Sequence, residues 1–408
     1  MKGLVYIAIA LIAVSENARA QNESTCAIND YQTLLTCAEK KSSDIKLSEQ
    51  RIKSSSKLED AAGQWDNPEI DLESVSKGSE ITEKSATLYL NIPIGGKRSA
   101  RKNEARAEHQ KSLIENQFAI QSTRLTLSLS LYRLAHLQKE IRIEQESVDT
   151  FSKIIRQYQG RKALSPEQDV SLSVFKMALS DHQFNLVKLK SESEKILKEL
   201  EASTDLDKQT ILKYLPKPKT QWLKVSDQSE VAEAPQIKAA QAEVEISRSQ
   251  NDKAKADAWP DLKVGPTVIE NKVGNETEKL TGLSLSMPLP VFSLNGGQKD
   301  YTKQRIIESE MSLDLTKRKM KAMRSQLTEK YNNTVGALKS AIDLKTISEK
   351  HERIENQFFK GVVPSSLIIE AHRQLYDLES RRNEAEMEAL DALGQILIID
   401  NKFNEVIL

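Results

Sequence analysis

Large aliphatic residues at a strict seven-residue step, Leu113, Ile120, Leu127, Leu134, Ile141, Val148 and Ile155, constrain this chain more than any other feature in it. A period of seven sustained this long keeps one seam of an α-helix on its partner, and its mismatch with 3.6 residues per turn winds the pair left-handed. No proline interrupts residues 97–157. The pattern therefore predicts a rod about 90 Å long, which no single globular core encloses. Composition agrees. The 408 residues are 29% charged and 5% aromatic, with only 14 Gly and 11 Pro, the balance of long, solvated helices. Lys+Arg and Asp+Glu are both 59, so there is no basic surplus to displace counterions, and no nucleic-acid partner is expected.

Residues 1–20 read as a signal peptide. Lys2 is followed by the apolar run Leu4–Val14, which is too short to span a bilayer, and then by the small-residue site Ala18-Arg19-Ala20. Gln21 becomes the expected mature N-terminus. No later run reaches the ~20 apolar residues of a membrane helix, which leaves a closed β-barrel as the other spanning architecture. Export places Cys26 and Cys37 in an oxidising compartment. On one helix they would lie ~16 Å apart, beyond bonding reach. A bridge requires Cys26 in an extended lead-in folded back on the helix; otherwise both thiols stay free.

The heptad breaks at Gly160-Arg161-Lys162-Ala163-Leu164-Ser165-Pro166. A second helical run follows, with Leu172, Phe175, Leu179, His182, Leu186, Leu189, Ile196 and Leu200 at helical spacing. His182 reads as a seam residue rather than a ligand, since no second ligand type stands near it in sequence. The chain then repeats itself. Trp65-Asp66-Asn67-Pro68-Glu69-Ile70-Asp71-Leu72 is echoed by Trp259-Pro260-Asp261-Leu262-Lys263-Val264, Thr87–Gly96 by Gly282–Gly297, and Gln157–Gly160 by Gln357–Gly361. Ile306, Leu313, Met320 and Leu327 repeat the seven-residue step, and Ile368, Ala371, Leu375, Leu378, Ala385, Ala389 and Ile396 mark the returning helix. Between the helices the pattern alternates. Ile70 and Leu72, Leu88 to Ile94, and Leu283 to Leu289 place apolar residues on one face and polar ones on the other. Such strands suit a transmembrane barrel, or a soluble hairpin packed on the helices. Four strands cannot close a barrel alone, so the first alternative requires several copies.

Asn67-Pro68-Glu69-Ile70 followed by Pro93-Ile94-Gly95-Gly96-Lys97-Arg98, with the duplicated order, resembles the TolC-like outer-membrane efflux factors over essentially the whole mature chain. Within them it is most similar to those of heavy-metal (cobalt–zinc–cadmium type) tripartite pumps. The resemblance implies a mainly α fold with a small β part: long coiled-coil helical hairpins plus four transmembrane β-strands per protomer, in a duplicated helix-strand-strand-helix-helix repeat that forms a trimeric α/β barrel. The first repeat would cover 21–229, with strands at about 67–78 and 85–94, a hairpin at 97–205 and an equatorial segment at 206–229. The second would cover 230–408, with strands at about 260–272 and 280–292 and a hairpin at 298–400. A homotrimer in outer-membrane lipid is implied, with a periplasmic adaptor and an inner-membrane pump, of RND type by preference, docking at the helical tips. The function implied is a passive exit duct for heavy-metal cations or drugs. A type I secretion duct has the same fold, and a soluble periplasmic coiled-coil adaptor or scaffold belongs to another class.

Several residues carry these expectations. Pro93, Gly95 and Gly96, and Pro290, Gly296 and Gly297 in the second half, suit a strand-to-helix junction, because proline ends pairing and glycine permits a sharp turn. The resemblance implies that Glu370 lines a periplasmic aperture, and the matching position of Asp169 in the first half adds it to the same expected ring. Each lies nine residues beyond a tip glycine, and either is otherwise a solvated helix carboxylate. Pro166 stands where the family often has a further acidic residue. Gly160, Arg161, Ala163, Leu164 and Ser165, with Gly361, Val362, Val363, Pro364 and Ser365, contact the adaptor or merely cap the turns. The histidines 109, 136, 182, 351 and 372 are scattered, and no hydrolase, metalloprotease or phosphate-loop motif occurs. Catalysis, a resident metal and a cofactor are therefore not expected.

Overall fold

The computed structural model describes residues 26–77, 81–226, 231–291, 294–342 and 344–403. The signal-peptide expectation lies outside them, as do position 78 of the first expected strand and position 292 of the last. In chain order the elements are α1 (Tyr31–Lys41), α2 (Ser43–Ala62), β1 (Glu69–Lys77), β2 (Ile81–Pro93), α3 (Lys97–Gln159), α4 (Pro166–Thr204), α5 (Lys208–Lys213), α6 (Pro235–Ala256), β3 (Asp261–Val273), β4 (Glu276–Ser286), α7 (Gly296–Ser340), α8 (Leu344–Phe359) and α9 (Ser365–Ile399).

The heptad run becomes α3, 63 residues and about 95 Å of helix. It packs against α2, α4, α6 and α9 and is the axis of the helical body. Its seam is deeply covered in the middle and at the tip end, where Ile155 is buried. Leu127 and Leu134 are buried, whereas Leu113 near the strand end is exposed. Leu127, Leu131 and Leu134 meet Leu34, Leu35, Leu197 and Leu200 in one core. Leu125 and Tyr132 meet Tyr331, Leu390, Leu393 and Ile396 in another. Cys26 is in the extended lead-in to α1 and is bonded to Cys37, with the Cα atoms 5.8 Å apart. Asp30 caps α1 by accepting from the Thr33 amide.

The return hairpin, expected at 298–400, has its first helix broken in two. Helix α7 stops at Ser340, Ala341 is extended, and α8 begins afresh at Leu344. No proline causes this. The next seven-residue steps after Leu327 fall on Thr334 and Ala341, so the seam loses its large side chains. Gly336 weakens the last turn, and the Ser340 hydroxyl donates to the Gly336 and Ala337 carbonyls, competing with the helical ladder.

The strands form one antiparallel sheet in the order β1-β2-β3-β4. β4 ends at Ser286 rather than near 292, because Pro288 and Pro290 cannot donate to a ladder. β2 starts earlier than expected, at Ile81, because its polar end pairs fully with β1 and β3. The segment after α5 lies across α7 and α9. The Lys219 amide donates to Glu386, the Tyr331 hydroxyl to the Leu223 carbonyl, and Arg324 to the Ser226 carbonyl.

Candidate functional site

The sheet is inside-out. Cross-strand pairing puts Ile70, Leu72, Ala86, Leu88, Leu90, Val264, Val268, Leu283 and Leu285 on one face. Their exposure is high: Leu72 is 74% exposed and Leu283 75%. The opposite face is polar and better covered. Thr87 is 8% exposed and shares a 2.8 Å hydrogen bond with Thr267, and Tyr89 bonds Ser284 at 2.7 Å. Glu69, Asp71, Glu73, Glu83, Glu276 and Glu278 lie on this polar face with Lys263, which pairs with Glu69. A water-soluble sheet buries its apolar face, so this arrangement requires an apolar solvent or a protein cover on the leucine side. β1 and β4 are open edges.

The first strand-to-helix junction lies between β2 and α3. Pro93 ends β2 opposite Asp261. Gly95 (φ +71°) and Gly96 (φ +80°) turn the chain through left-handed backbone, and a Cβ on Gly95 would sit 2.5 Å from the Trp259 ring. Lys97 ties the junction to Asp261 at 2.7 Å, and the Arg98 guanidinium stacks over Trp65. The second junction differs from expectation. Asn295, not a glycine, takes the left-handed position (φ 57°), and its amide donates to the Ala254 carbonyl at 2.9 Å. Gly296 and Gly297 are the first helical residues of α7, and Pro290 lies in the irregular lead-in. An asparagine tolerates that conformation because its short side chain bonds locally.

At the far end of the helices the two tips come together. A cavity of about 570 Å³ lies between them, bordered by Tyr158, Arg161, Gln168, Phe359, Gly361 and Val363. Ser165 forms a capping box with Gln168, and Pro166 opens α4. The counterpart of Gly160 in the second tip is Gly361 (φ +73°), where the chain turns as its amide donates to the Phe358 carbonyl. Gly160, Arg161, Ala163, Ser165, Val362 and Pro364 are exposed, whereas Val363 and Ser365 are half-buried. Leu164 packs on the apolar cluster of Phe151, Ile154, Phe175 and Ile368 beneath the tips.

The two expected aperture carboxylates differ. Asp169 is exposed in the first turn of α4. Glu370 is half-buried and accepts from Arg373 at 2.6 and 2.9 Å and from Gln374 at 2.6 Å. Those bonds, the Arg373 guanidinium first, hold its carboxyl below the usual carboxylate range. Its charge is therefore largely answered within its own helix.

Above the tips the fold gathers residues that are far apart in sequence. His182 and His372, from α4 and α9, flank Phe151 of α3, and His351 of α8 packs edge-on against His372. Ring centroids are 4.3 Å apart for His351–His372, 4.9 Å for Phe151–His372 and 6.5 Å for His182–His372. His182 Nδ1 is 2.6 Å from the buried Glu144 carboxylate, and His372 Nδ1 is 2.9 Å from the Ser147 hydroxyl. Burial first, then the neighbouring His351 and His182, push the His372 imidazole down to about 3. Burial also lowers His351, against the pull of Glu355 and Glu146. The scatter of histidines is thus a property of the sequence only, and no local spacing announces the cluster. No group of three or more His, Cys, Asp or Glu among the described residues is placed to hold a metal ion.

No described helix is long and apolar enough to cross a membrane. No family model matches the chain, and no curated protein matches it in sequence. Solved structures do share its architecture. CusC, studied for folding and transmembrane channel formation, superimposes with a TM-score of 0.68 at 11% identity over 91% of this chain and 92% of its own. The CmeC outer membrane channel of Campylobacter jejuni gives 0.68 at 13% identity over 91% and 85%. The open MtrE outer membrane channel of Neisseria gonorrhoeae gives 0.64 at 12% identity over 91% and 88%. The chain has the fold of these outer-membrane channels.

Proposed function

We propose that this protein is the outer-membrane exit duct of a tripartite efflux pump. Three copies place their sheets edge to edge, β4 of one against β1 of the next, in a 12-stranded barrel continuous with a helical tunnel. The observation that carries this is the inside-out sheet, with its leucine face bare, its polar face hydrogen-bonded and both edges open. Helix α4 adds support. Val170, Met177 and Phe184, a seven-residue step, are 64%, 64% and 76% exposed, which suits a seam covered by a neighbouring copy. A periplasmic adaptor, with an inner-membrane pump of RND type, would dock at the paired tips. The acidic surplus on the polar face favours cations, heavy-metal ions among them, as cargo. Substrate passes without covalent chemistry.

The test is membrane separation, mild detergent extraction and the mass of the particle. A trimer in the outer-membrane fraction is expected. A water-soluble monomer or dimer would overturn the duct and leave a periplasmic scaffold, with the sheet covered by another protein.

A further inference from the structure

On the leucine face all four strands change character at one level. The last apolar row is Leu72, Ala86 and Val268, closed on β4 by Thr281. The next row on that face is Ser74, Lys84, Glu270 and Lys279, and the one beyond it is Ser76, Thr82, Lys272 and Thr277. Three lysines therefore cluster within two adjacent rows, against one carboxylate. Lys279 pairs with Glu270 at 3.3 Å. Lys84 and Lys272 are exposed and have no ion-pair partner among the described residues.

A shallow hollow of about 370 Å³ opens at this boundary, with Leu72, Ala86 and Val268 below and Glu73, Ser74, Lys84 and Glu270 above. Its floor is hydrocarbon, and its lip carries Lys84 beside Glu73 and Glu270, with the further lysines Lys272 and Lys279 on the same face beyond it. The level has a meaning along the barrel axis. From the exposed Trp259, beside the helical junction, to Val268 is about 30 Å of strand. At a tilt near 40° that is about 23 Å of height, close to the ~25 Å apolar band of outer-membrane barrels. Trp259 then marks the periplasmic interface and the lysines mark the opposite one.

We propose that this boundary is a binding site for a phosphorylated, multiply acylated glycolipid of the outer leaflet. Its phosphates lie on Lys84 and Lys272, and its acyl chains run down over Leu72, Ala86 and Val268. A zwitterionic headgroup would leave the lysine surplus uncompensated, whereas a bisphosphorylated one neutralises it. The site rests on the outer-membrane reading above.

The experiment is native mass spectrometry of the detergent-extracted full-length protein, titrated with diphosphoryl lipid A, phosphatidylethanolamine or inorganic phosphate. Diphosphoryl lipid A is expected to bind at least tenfold more tightly than phosphatidylethanolamine. The Lys84→Gln/Lys272→Gln variant should lose at least tenfold in lipid A affinity with its particle mass unchanged. Glu270→Gln should bind more tightly, since it frees Lys279. Equal binding of both lipids overturns the proposal, as does a Lys84→Gln/Lys272→Gln variant that binds like the wild type. Displacement of lipid A by equimolar inorganic phosphate also overturns it, because the acyl floor would then contribute nothing. Should the double variant fail to assemble, Glu270→Gln decides: unchanged or weaker binding refutes the site. A wild-type chain outside the outer membrane overturns the duct as well. A chain in the outer membrane with lysine-independent binding overturns this inference alone.

Discussion

Acid should loosen the joint above the tips. In the packed seam His372 is 1% exposed and its imidazole titrates near 3, against 6.5 for a solvated histidine. Opening the seam between α9 and α3 returns the ring to water and its pKa toward 6.5. The closed form therefore binds fewer protons than the open one at any pH between those values. Its stability is complete above 6.5 and falls as pH drops toward 3, by about 1.4 kcal/mol per pH unit. At pH 5 the loss is about 2 kcal/mol, roughly thirtyfold in the open population. His351, also lowered, adds in the same direction, and its proximity to Glu355 and Glu146 limits its share. Glu144 beside His182 faces the same cluster. The assay is amide hydrogen exchange of residues 351–375 at pH 7.5 and 5, corrected for intrinsic rates. Protection should fall by about thirtyfold in the wild type, and His372→Gln should abolish most of that pH dependence. Unchanged wild-type protection, or the same slope in the variant, would refute the argument.

Three further outcomes are expected. Gly95→Ala should cost about 2–4 kcal/mol, from left-handed strain plus collision with Trp259, whereas Gly96→Ala, with open space around it, should cost only the strain of ~1–2 kcal/mol; thermal melts of the two variants separate the terms. Arg324 is 3% exposed and grips Asp400 at 2.7 and 2.9 Å, so Arg324→Ala should destabilise by ~3–5 kcal/mol in denaturant titrations, because it strands a carboxylate. In bilayer recordings Asp169→Asn and Glu370→Gln should each reduce cation selectivity, with Arg373 still held by Asp377 in the second variant; unmoved reversal potentials would remove both residues from the aperture.

The long elements were legible because their signals are periodic. The heptad gave α3, and the alternating leucines gave β2 and β4 with the correct face exposed. The first junction was legible too, since Pro93, Gly95 and Gly96 perform the tasks their chemistry allows. Where the second half copies the first imperfectly, motif reading slipped. Asn295 took the turn assigned to glycine, and the fading seam after Leu327 broke a helix that has no proline. The histidine cluster was out of reach for a different reason. Its members approach only after α3, α4, α8 and α9 pack, and no local spacing encodes that. The clamp of Glu370 by Arg373, three residues on, follows from helical spacing alone.

The open edges of β1 and β4 have a genetic consequence. In a three-copy barrel no subunit has a finished wall of its own, and each closes its two neighbours. A variant that folds its helices but carries a proline in β1 would still join the ring and leave it gaping. Co-expressed in equal amount with the normal chain, it would leave roughly one ring in eight free of defective copies. If the proposed three-copy barrel is right, such an allele would be dominant, with a severity that grows with expression, whereas a simple deletion of the gene would be recessive.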